Sequence, residues 1–419
     1  MESLADAFGL RRGGDVSGEF CETIVLMKTV AQSKMRILYE GAIYQILRCG
    51  GVARCFSELI HHLSDDIQPI VMGPLADQPP IHHVNLQYRG VQTEPPVSWL
   101  RKLTRDRMQR QIANEFDSVE CDIEHWTYYS GLCRRPIRRG TRPLVVTVLD
   151  FVHEAFPLLD PSGSQIAIKR DAIRAADQLI CISQSTHDEL CDRFPESRDK
   201  ASVVPLGTSL SDVSPARLPD ELIGQRYVLF VGRRNSYKNF AVVWHAWKRL
   251  QGARLQGALP DDTKLVIVGP PMKRREAAEL DWKGDGSAIL MPNASDAVLR
   301  TLYEHASAFL FPSKAEGFGL PSLEAMAAGT PVLVSDLPVM REVVGRCGYY
   351  FDPDDVDAVA EMIRAALTDS LPDKSRVVAS AFERASMFTW RSTAERTAAI
   401  YRQLAEQTIR PHDSMLCAV

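Results

Sequence analysis

Glu316-Gly-Phe-Gly-Leu-Pro-Ser-Leu-Glu324-Ala-Met-Ala-Ala-Gly329-Thr-Pro-Val332 reads as a glycine-rich loop that opens directly into a helix. Pro321 suits the first helical turn, where its missing N–H would have no partner anyway, and Gly329 suits the C-terminal stop. The apolar runs Ala308-Phe-Leu-Phe311 and Pro331-Val-Leu-Val334 bracket the segment as short buried strands. Strand, loop, helix and strand in that order belong to a parallel α/β sheet. Backbone N–H groups from Phe318, Gly319 and Leu320 and the positive end of the helix dipole then face the ligand side of the sheet, a ready place for phosphate or sugar oxygens. Glu316 and Glu324 flank that place. Carboxylates repel phosphate, so their natural task beside one is to accept hydrogen bonds from sugar and ribose hydroxyls. A mere capping and surface role would make the whole 17-residue arrangement a coincidence.

The same pattern extends outward in both directions. Tyr227-Val-Leu-Phe-Val231 ends in Gly232 and Lys264-Leu-Val-Ile-Val268 ends in Gly269, each followed by a helical stretch. Gly207 to Gln225, with its Pro, Gly, Ser and Asp and no apolar period, reads as a linker. Ahead of it, strands are expected at 35–39, 70–72, 144–148, 178–182 and 202–204, with helices near 52–63, 98–116, 164–176 and 185–193. Two doubly wound domains put the carboxyl ends of their strands at a shared cleft. The expected division is an N-terminal extension over 1–33 and an N-terminal domain over 34–212, then a C-terminal domain over 213–390 and a final helix and tail over 391–419.

Composition bounds the rest. A chain of 419 residues holds two or three domains at about 150 residues each. Its 45% hydrophobic and 24% charged content is that of a globular protein, not a disordered or collagenous one. A net charge of -4 provides no general cationic field for nucleic acid. The nine cysteines form no C-x2-C pair, which argues against a disulfide framework or structural zinc and for a reducing cytoplasm. No run approaches the roughly 18 apolar residues of a membrane span. The basic stretch Trp99 to Phe116 is a candidate for peripheral contact with an anionic membrane at its inner face, with a plain solvated helix as the alternative.

A second constellation lies in Phe230-Val-Gly232-Arg-Arg-Asn-Ser-Tyr-Lys238-Asn239, where a strand ends in glycine and opens into three cations. Guanidinium forks and an ammonium point charge can neutralise a diphosphate. A dinucleotide dehydrogenase is disfavoured, because no G-x-G-x-x-G follows either first strand.

These two segments, with Ile180-Cys-Ile-Ser-Gln-Ser-Thr-His187 and Val204-Pro-Leu-Gly207, resemble the retaining glycosyltransferases of family 4 over roughly residues 34 to 405, and within them the bacterial polysaccharide mannosyltransferases. The resemblance implies a GT-B fold of two Rossmann-like domains and a nucleoside diphosphate sugar as donor, with GDP-mannose favoured over a UDP-sugar. It implies a glycan or lipid-linked acceptor, retention of anomeric configuration, and no cofactor or metal. Residue by residue, it assigns the transferred sugar to Glu316, the nucleotide ribose to Glu324, and the diphosphate to Lys238 with Arg234 or Arg233, Arg234 fitting the usual spacing better. Gly50 and Gly51 match the first glycine loop, near donor phosphates and acceptor. Asp150 and His153 are acceptor-side candidates, although Leu149 stands where the family usually has His. Asp122 to Tyr129 resembles a stretch that some of these mannosyltransferases place at the cleft, an aromatic core patch being the alternative. Phe388-Thr-Trp390 and the run to Leu404 resemble the C-terminal helix that crosses back to the first domain. A nucleotide-sugar 2-epimerase of the same architecture and a non-catalytic sugar-nucleotide binder are the competing readings.

Overall fold

The computed structural model describes residues 34–46, 50–76, 78–92, 101–129, 142–234, 236–253, 259–282, 284 and 286–416. The extension read over 1–33 lies outside these residues. Seven strands form the first sheet: β1 (Met35–Glu40), β2 (Ile67–Pro74), β3 (Gln87–Val91), β4 (Ile123–Trp126), β5 (Leu144–Val148), β6 (Gln178–Cys181) and β7 (Ala201–Val203), in the order β3-β2-β1-β4-β5-β6-β7. Six form the second: β8 (Arg226–Val231), β9 (Thr263–Gly269), β10 (Ala288–Pro292), β11 (Ala308–Phe311), β12 (Val332–Ser335) and β13 (Tyr349–Phe351), in the order β10-β9-β8-β11-β12-β13. Every strand pairing among the described residues is parallel, as in Leu38 opposite Ile70 and Leu229 opposite Val266. The strand order reverses beside β1 and beside β8, and such reversals are where doubly wound sheets open a ligand crevice.

The strands are continuous apolar runs because helices cover both faces. Phe309, Leu310 and Phe311 of β11 are essentially without solvent contact. The helices that matter for the site are α1 (Gly51–His61), α2 (Arg101–Ser118), α3 (Ser164–Ala175), α4 (Gln184–Arg193), α5 (Phe240–Ala253), α6 (Asp296–His305), α7 (Leu320–Ala327), α8 (Pro338–Val343) and α9 (Trp390–Leu416). Helix α9 follows the second sheet in sequence but packs on the first: Ala394, Ala398, Tyr401 and Leu404 share a core with Ile37, Tyr39 and Ile60. Tyr401 is fixed there by a buried chain of hydroxyls and imidazole, 2.9 Å from the Tyr39 hydroxyl and 2.5 Å from His125 Nδ1, while His125 Nε2 lies 2.8 Å from Thr147 Oγ1. Burial pulls the His125 imidazole down to about 3, so it is neutral in the fold.

The two domains meet through packed atoms. Cys55, Leu149, Ile182 and Leu206 of the first join Phe318, Leu323 and Trp390 in one apolar cluster. At Gly317 a Cβ would overlap the Leu149 carbonyl oxygen, so only glycine lets the two backbones approach so closely. Glu342 of α8 accepts hydrogen bonds from the Gln184 and Ser185 N–H groups at 2.7 and 2.9 Å, satisfying orphan donors in the first turn of α4 across the domain boundary.

Candidate active site

Four strand ends converge on the cleft: β1, followed by the short helix Ala42–Ile46 and then Gly50 and Gly51, β5 leading to Asp150, β8 leading to Gly232, and β11 leading to Glu316. Gly319 starts α7 from a left-handed backbone with φ 92, and a Cβ there would strike the Met340 side chain. That turn frees the Phe318 and Gly319 N–H groups, which form no backbone hydrogen bond among the described residues. The Phe318 ring itself is buried, edge-on to Phe388 at 5.9 Å, so this residue can offer only its backbone. Leu320 at the helix start faces Gly51, whose Cβ would sit 3.9 Å from Leu320 Cδ1. The two glycine loops therefore look at each other across the cleft.

Lys238 follows β8 on a single tight turn, Ser236–Lys238, and its Nζ lies 2.6 Å from Glu316 Oε1. The ammonium also sits 5.3 Å from the centres of the Tyr237 and Phe311 rings. Burial works to lower its pKa, but the Glu316 carboxylate, with Asp150 opposite, outweighs burial and raises it. Lys238 is therefore a permanent cation, and Asp150 is near enough across the cleft to sense it.

Glu324, half-way along α7, is buried and accepts from Tyr303 Oη at 3.2 Å and from Arg54 Nη1 at 2.8 Å. Burial raises its pKa against the opposing pull of Arg54 and Tyr303. Arg54 also pairs with Asp296 at the start of α6. Sequence reasoning missed Arg54. The available signal was its place as the one Arg or Lys of α1, a turn beyond Gly50-Gly51.

Two assignments change. Arg234 is not available to a phosphate in this structure: its side chain is 1% exposed, its Nε is 2.6 Å from Glu276 Oε1, and its Nη2 donates to the Pro270 carbonyl at 2.8 Å. A guanidinium held by a carboxylate inside the fold is a brace. Arg233, exposed on the same loop, makes no ion pair among the described residues and is the better-placed cation. The spacing argument failed because it counted residues without asking which of two neighbours the Gly232 turn would point inward.

His153 lies on the short helical turn Val152–Ala155, and its charge partner is Asp160. Burial alone would raise the Asp160 carboxyl, but the Ile166 and Gln165 N–H groups, Ser162 and His153 together lower it. No described interaction links His153 to Lys238 or Glu316. Asp150 is instead anchored from below: Lys169 of α3, 1% exposed, donates to the Asp150 carbonyl at 2.9 Å and to Glu154 Oε2 at 2.8 Å. The Asp122 to Tyr129 stretch supplies β4 and core: His125 is sealed in the chain described above, and the Tyr129 hydroxyl accepts from the Leu149 N–H at 3.0 Å. Among the described residues no three His, Cys, Asp or Glu side chains gather as metal ligands, and no helix is long and apolar enough to cross a membrane.

Comparison with known proteins agrees with this layout. The family model described as Glycosyltransferase Family 4 matches residues 49–212, and the one described as Glycosyl transferases group 1 matches residues 220–384. O-antigen chain mannosyltransferase B of Escherichia coli is 29% identical over 255 residues, covering 56% of this chain and 62% of that protein. The MMP alpha-(1->4)-mannosyltransferase of Mycolicibacterium hassiacum is 29% identical over 243 residues, 57% of each chain. The chain thus spans less than two thirds of these relatives' length. Among solved structures, sucrose-phosphate synthase from Thermosynechococcus elongatus superposes with a TM-score of 0.69 over 88% of this chain and 99% of its own, at 20% identity, a likeness of GT-B fold.

Proposed function

Since the chain belongs to the glycosyltransferases that these two family models describe, we propose that it moves a hexose, mannose in preference, from a nucleoside diphosphate sugar to a hydroxyl of a growing polysaccharide or lipid-linked glycan. The preference for mannose rests on the two mannosyltransferases it resembles in sequence, and GDP-mannose is the donor favoured over a UDP-sugar from the family resemblance. The observation that carries the chemistry is the half-buried Lys238–Glu316 pair at 2.6 Å, facing Asp150 across the cleft. An ammonium has three protons. Glu316 holds one and leaves the others for diphosphate oxygens, while the free Glu316 oxygen faces the sugar.

In this reading the donor lies along the C-terminal domain, with its ribose on Glu324 and its diphosphate between Lys238, Arg233 and the N–H groups of Phe318, Gly319 and Leu320. Gly50 and Gly51 close over the phosphates from the other side. As the anomeric bond breaks, negative charge grows on the diphosphate, where preorganised cations and N–H groups stabilise it more than they stabilise the intact donor. The acceptor hydroxyl attacks on the same face, and its proton passes to the departing diphosphate, so the absence of histidine at position 149 leaves the step intact. These cations take the place of a metal. Cytoplasmic work at the inner face of a membrane, with residues 99–116 in contact, belongs to the same proposal.

The test is transfer by the purified protein from GDP-mannose, UDP-glucose and related donors, in the presence of a chelator. Binding donors are first found by thermal stabilisation, since a ligand at 100 times its dissociation constant adds about 2.7 kcal/mol. Glycosylated acceptor formed in the chelator supports the reading. Conversion of the donor to its C2 epimer without acceptor, or activity that returns only with magnesium, contradicts it.

A further inference from the structure

Arg54 stands on the N-terminal domain, but the two carboxylates it bonds, Glu324 and Asp296, both stand on the C-terminal domain. The contact spans the cleft between the two domains and holds only while they lie this close. It is also selective in what it leaves open. Arg54 Nη1 occupies one acceptor position on Glu324 Oε1, and the Tyr303 hydroxyl occupies one on Oε2. Each carboxylate oxygen has two such positions, so one remains on each oxygen. Two adjacent acceptors match two adjacent hydroxyls.

The electrostatics point the same way. Burial favours the neutral carboxyl at Glu324, and Arg54 is the largest opposing influence, with Tyr303 helping and Asp296 working against it. Burial works against the Arg54 charge, but Glu324, Asp296 and Glu58 outweigh it, and Glu58 also accepts from Ser209 at 2.7 Å and so stays in place. The Cys55 thiol beside them is pushed up to about 12 by burial and carries no charge. A neutral carboxyl would have lost part of its acceptor capacity, so the cation matters to what Glu324 can hold.

We infer that Arg54 is a positioning residue for the donor nucleotide: it reaches across the cleft and holds Glu324 oriented to accept the two ribose hydroxyls. This rests on the ribose role proposed for Glu324. Arg54 then ties retention of the donor to closure: an open cleft leaves Glu324 without its cation, and a closed one completes the ribose grip.

The experiment is calorimetric titration of the full chain with UDP and GDP and with their 2′,3′-dideoxy forms, for wild type, Arg54→Met, Arg54→Lys and Glu324→Gln. With the nucleotide that binds, Arg54→Met should lose about tenfold in affinity, the scale of one charge-assisted hydrogen bond. Its affinity for the dideoxy form should stay within about twofold of wild type. Arg54→Lys should fall between and serves if the methionine variant does not fold. In steady-state transfer the loss should appear in KM with little change in kcat, as expected for binding shared by ground and transition states. Equal losses for the ribose and dideoxy forms, or no loss for either, overturn the inference. Glu324→Gln separates the two levels. If Glu324→Gln loses affinity equally for the ribose and dideoxy forms, the ribose role of Glu324 itself is wrong; if its loss is confined to the ribose form and that of Arg54→Met is not, only the role of Arg54 falls.

Discussion

On the C-terminal side of the cleft Lys238, Glu316 and Glu324 are 19%, 11% and 8% exposed, and each already holds an oppositely charged partner. On the N-terminal side Asp150 is 36% exposed, and what Gly51 and Leu149 present is backbone and apolar surface. A site whose charges are half-buried or buried, paired and aimed before any ligand arrives suits the part of the proposed reaction that is always the same, the departure of a diphosphate. Apart from Arg54, which reaches across to Glu324, the N-terminal side is backbone and one accessible carboxylate, which suits the part that varies in the proposed reaction, the acceptor. Under the proposed function the contrast puts chemistry on the second domain and acceptor choice on the first, and it can be broken at several points.

The largest effect is expected on the charged side. Lys238→Ala should keep the circular dichroism of the wild type and lower turnover by roughly 10²- to 10³-fold, the scale of one preorganised electrostatic group. Near-normal turnover would end the assignment. Next comes the seam between the halves. Gly317→Ala puts a Cβ where the Leu149 carbonyl oxygen is, so the domains must part. A misplacement of about 1 Å can lower the rate by about 10², and small-angle scattering should show a longer molecule. Full activity with unchanged dimensions would show that the close approach is dispensable.

A smaller effect sharpens the loop that follows β8. Arg233→Ala should weaken nucleoside diphosphate affinity by about tenfold, as for one lost bond to a charged group. Arg234→Ala should instead lower the melting temperature, because it leaves Glu276 without its buried partner. The reverse pattern would return the phosphate role to Arg234.

The smallest effect on catalysis belongs to His125, on the N-terminal side. With its pKa drawn down to about 3 in the fold, the unfolded chain binds a proton that the folded chain refuses between the ordinary histidine range and pH 3. Stability therefore falls as pH drops through that window. His125→Gln should leave turnover unchanged and flatten the acid side of a plot of urea midpoint against pH. An equally steep slope would show that the imidazole is not held neutral.

Much of this was legible in the residues, and the reasons are local. Strands such as Leu144–Val148 and Ala308–Phe311 are apolar runs closed by turn residues, and α7 is bracketed by Pro321 and Gly329. The edge strands Gln87–Val91 and Tyr349–Phe351 were not, because a short half-buried edge need carry no apolar run. Glu316, Glu324 and Lys238 were readable because they stand in loop-and-helix segments that resemble a family's motifs, although Lys238 and Glu316 meet across 78 positions. Arg54 was not, since its partners are 242 and 270 positions away and only the closed cleft brings them together. Arg233 and Arg234 are adjacent in sequence and opposite in environment, a difference made by Glu276 from a helix forty residues on.

The central claim is that Glu316 and Glu324 hold different parts of the donor, and calorimetric titration of Glu316→Gln and Glu324→Gln with the nucleoside diphosphate product tests it most directly. The product carries the ribose but not the sugar. Glu324→Gln should lose about tenfold in product affinity, while Glu316→Gln binds the product nearly as wild type does and fails in turnover. Equal losses of product affinity in the two variants would contradict the account.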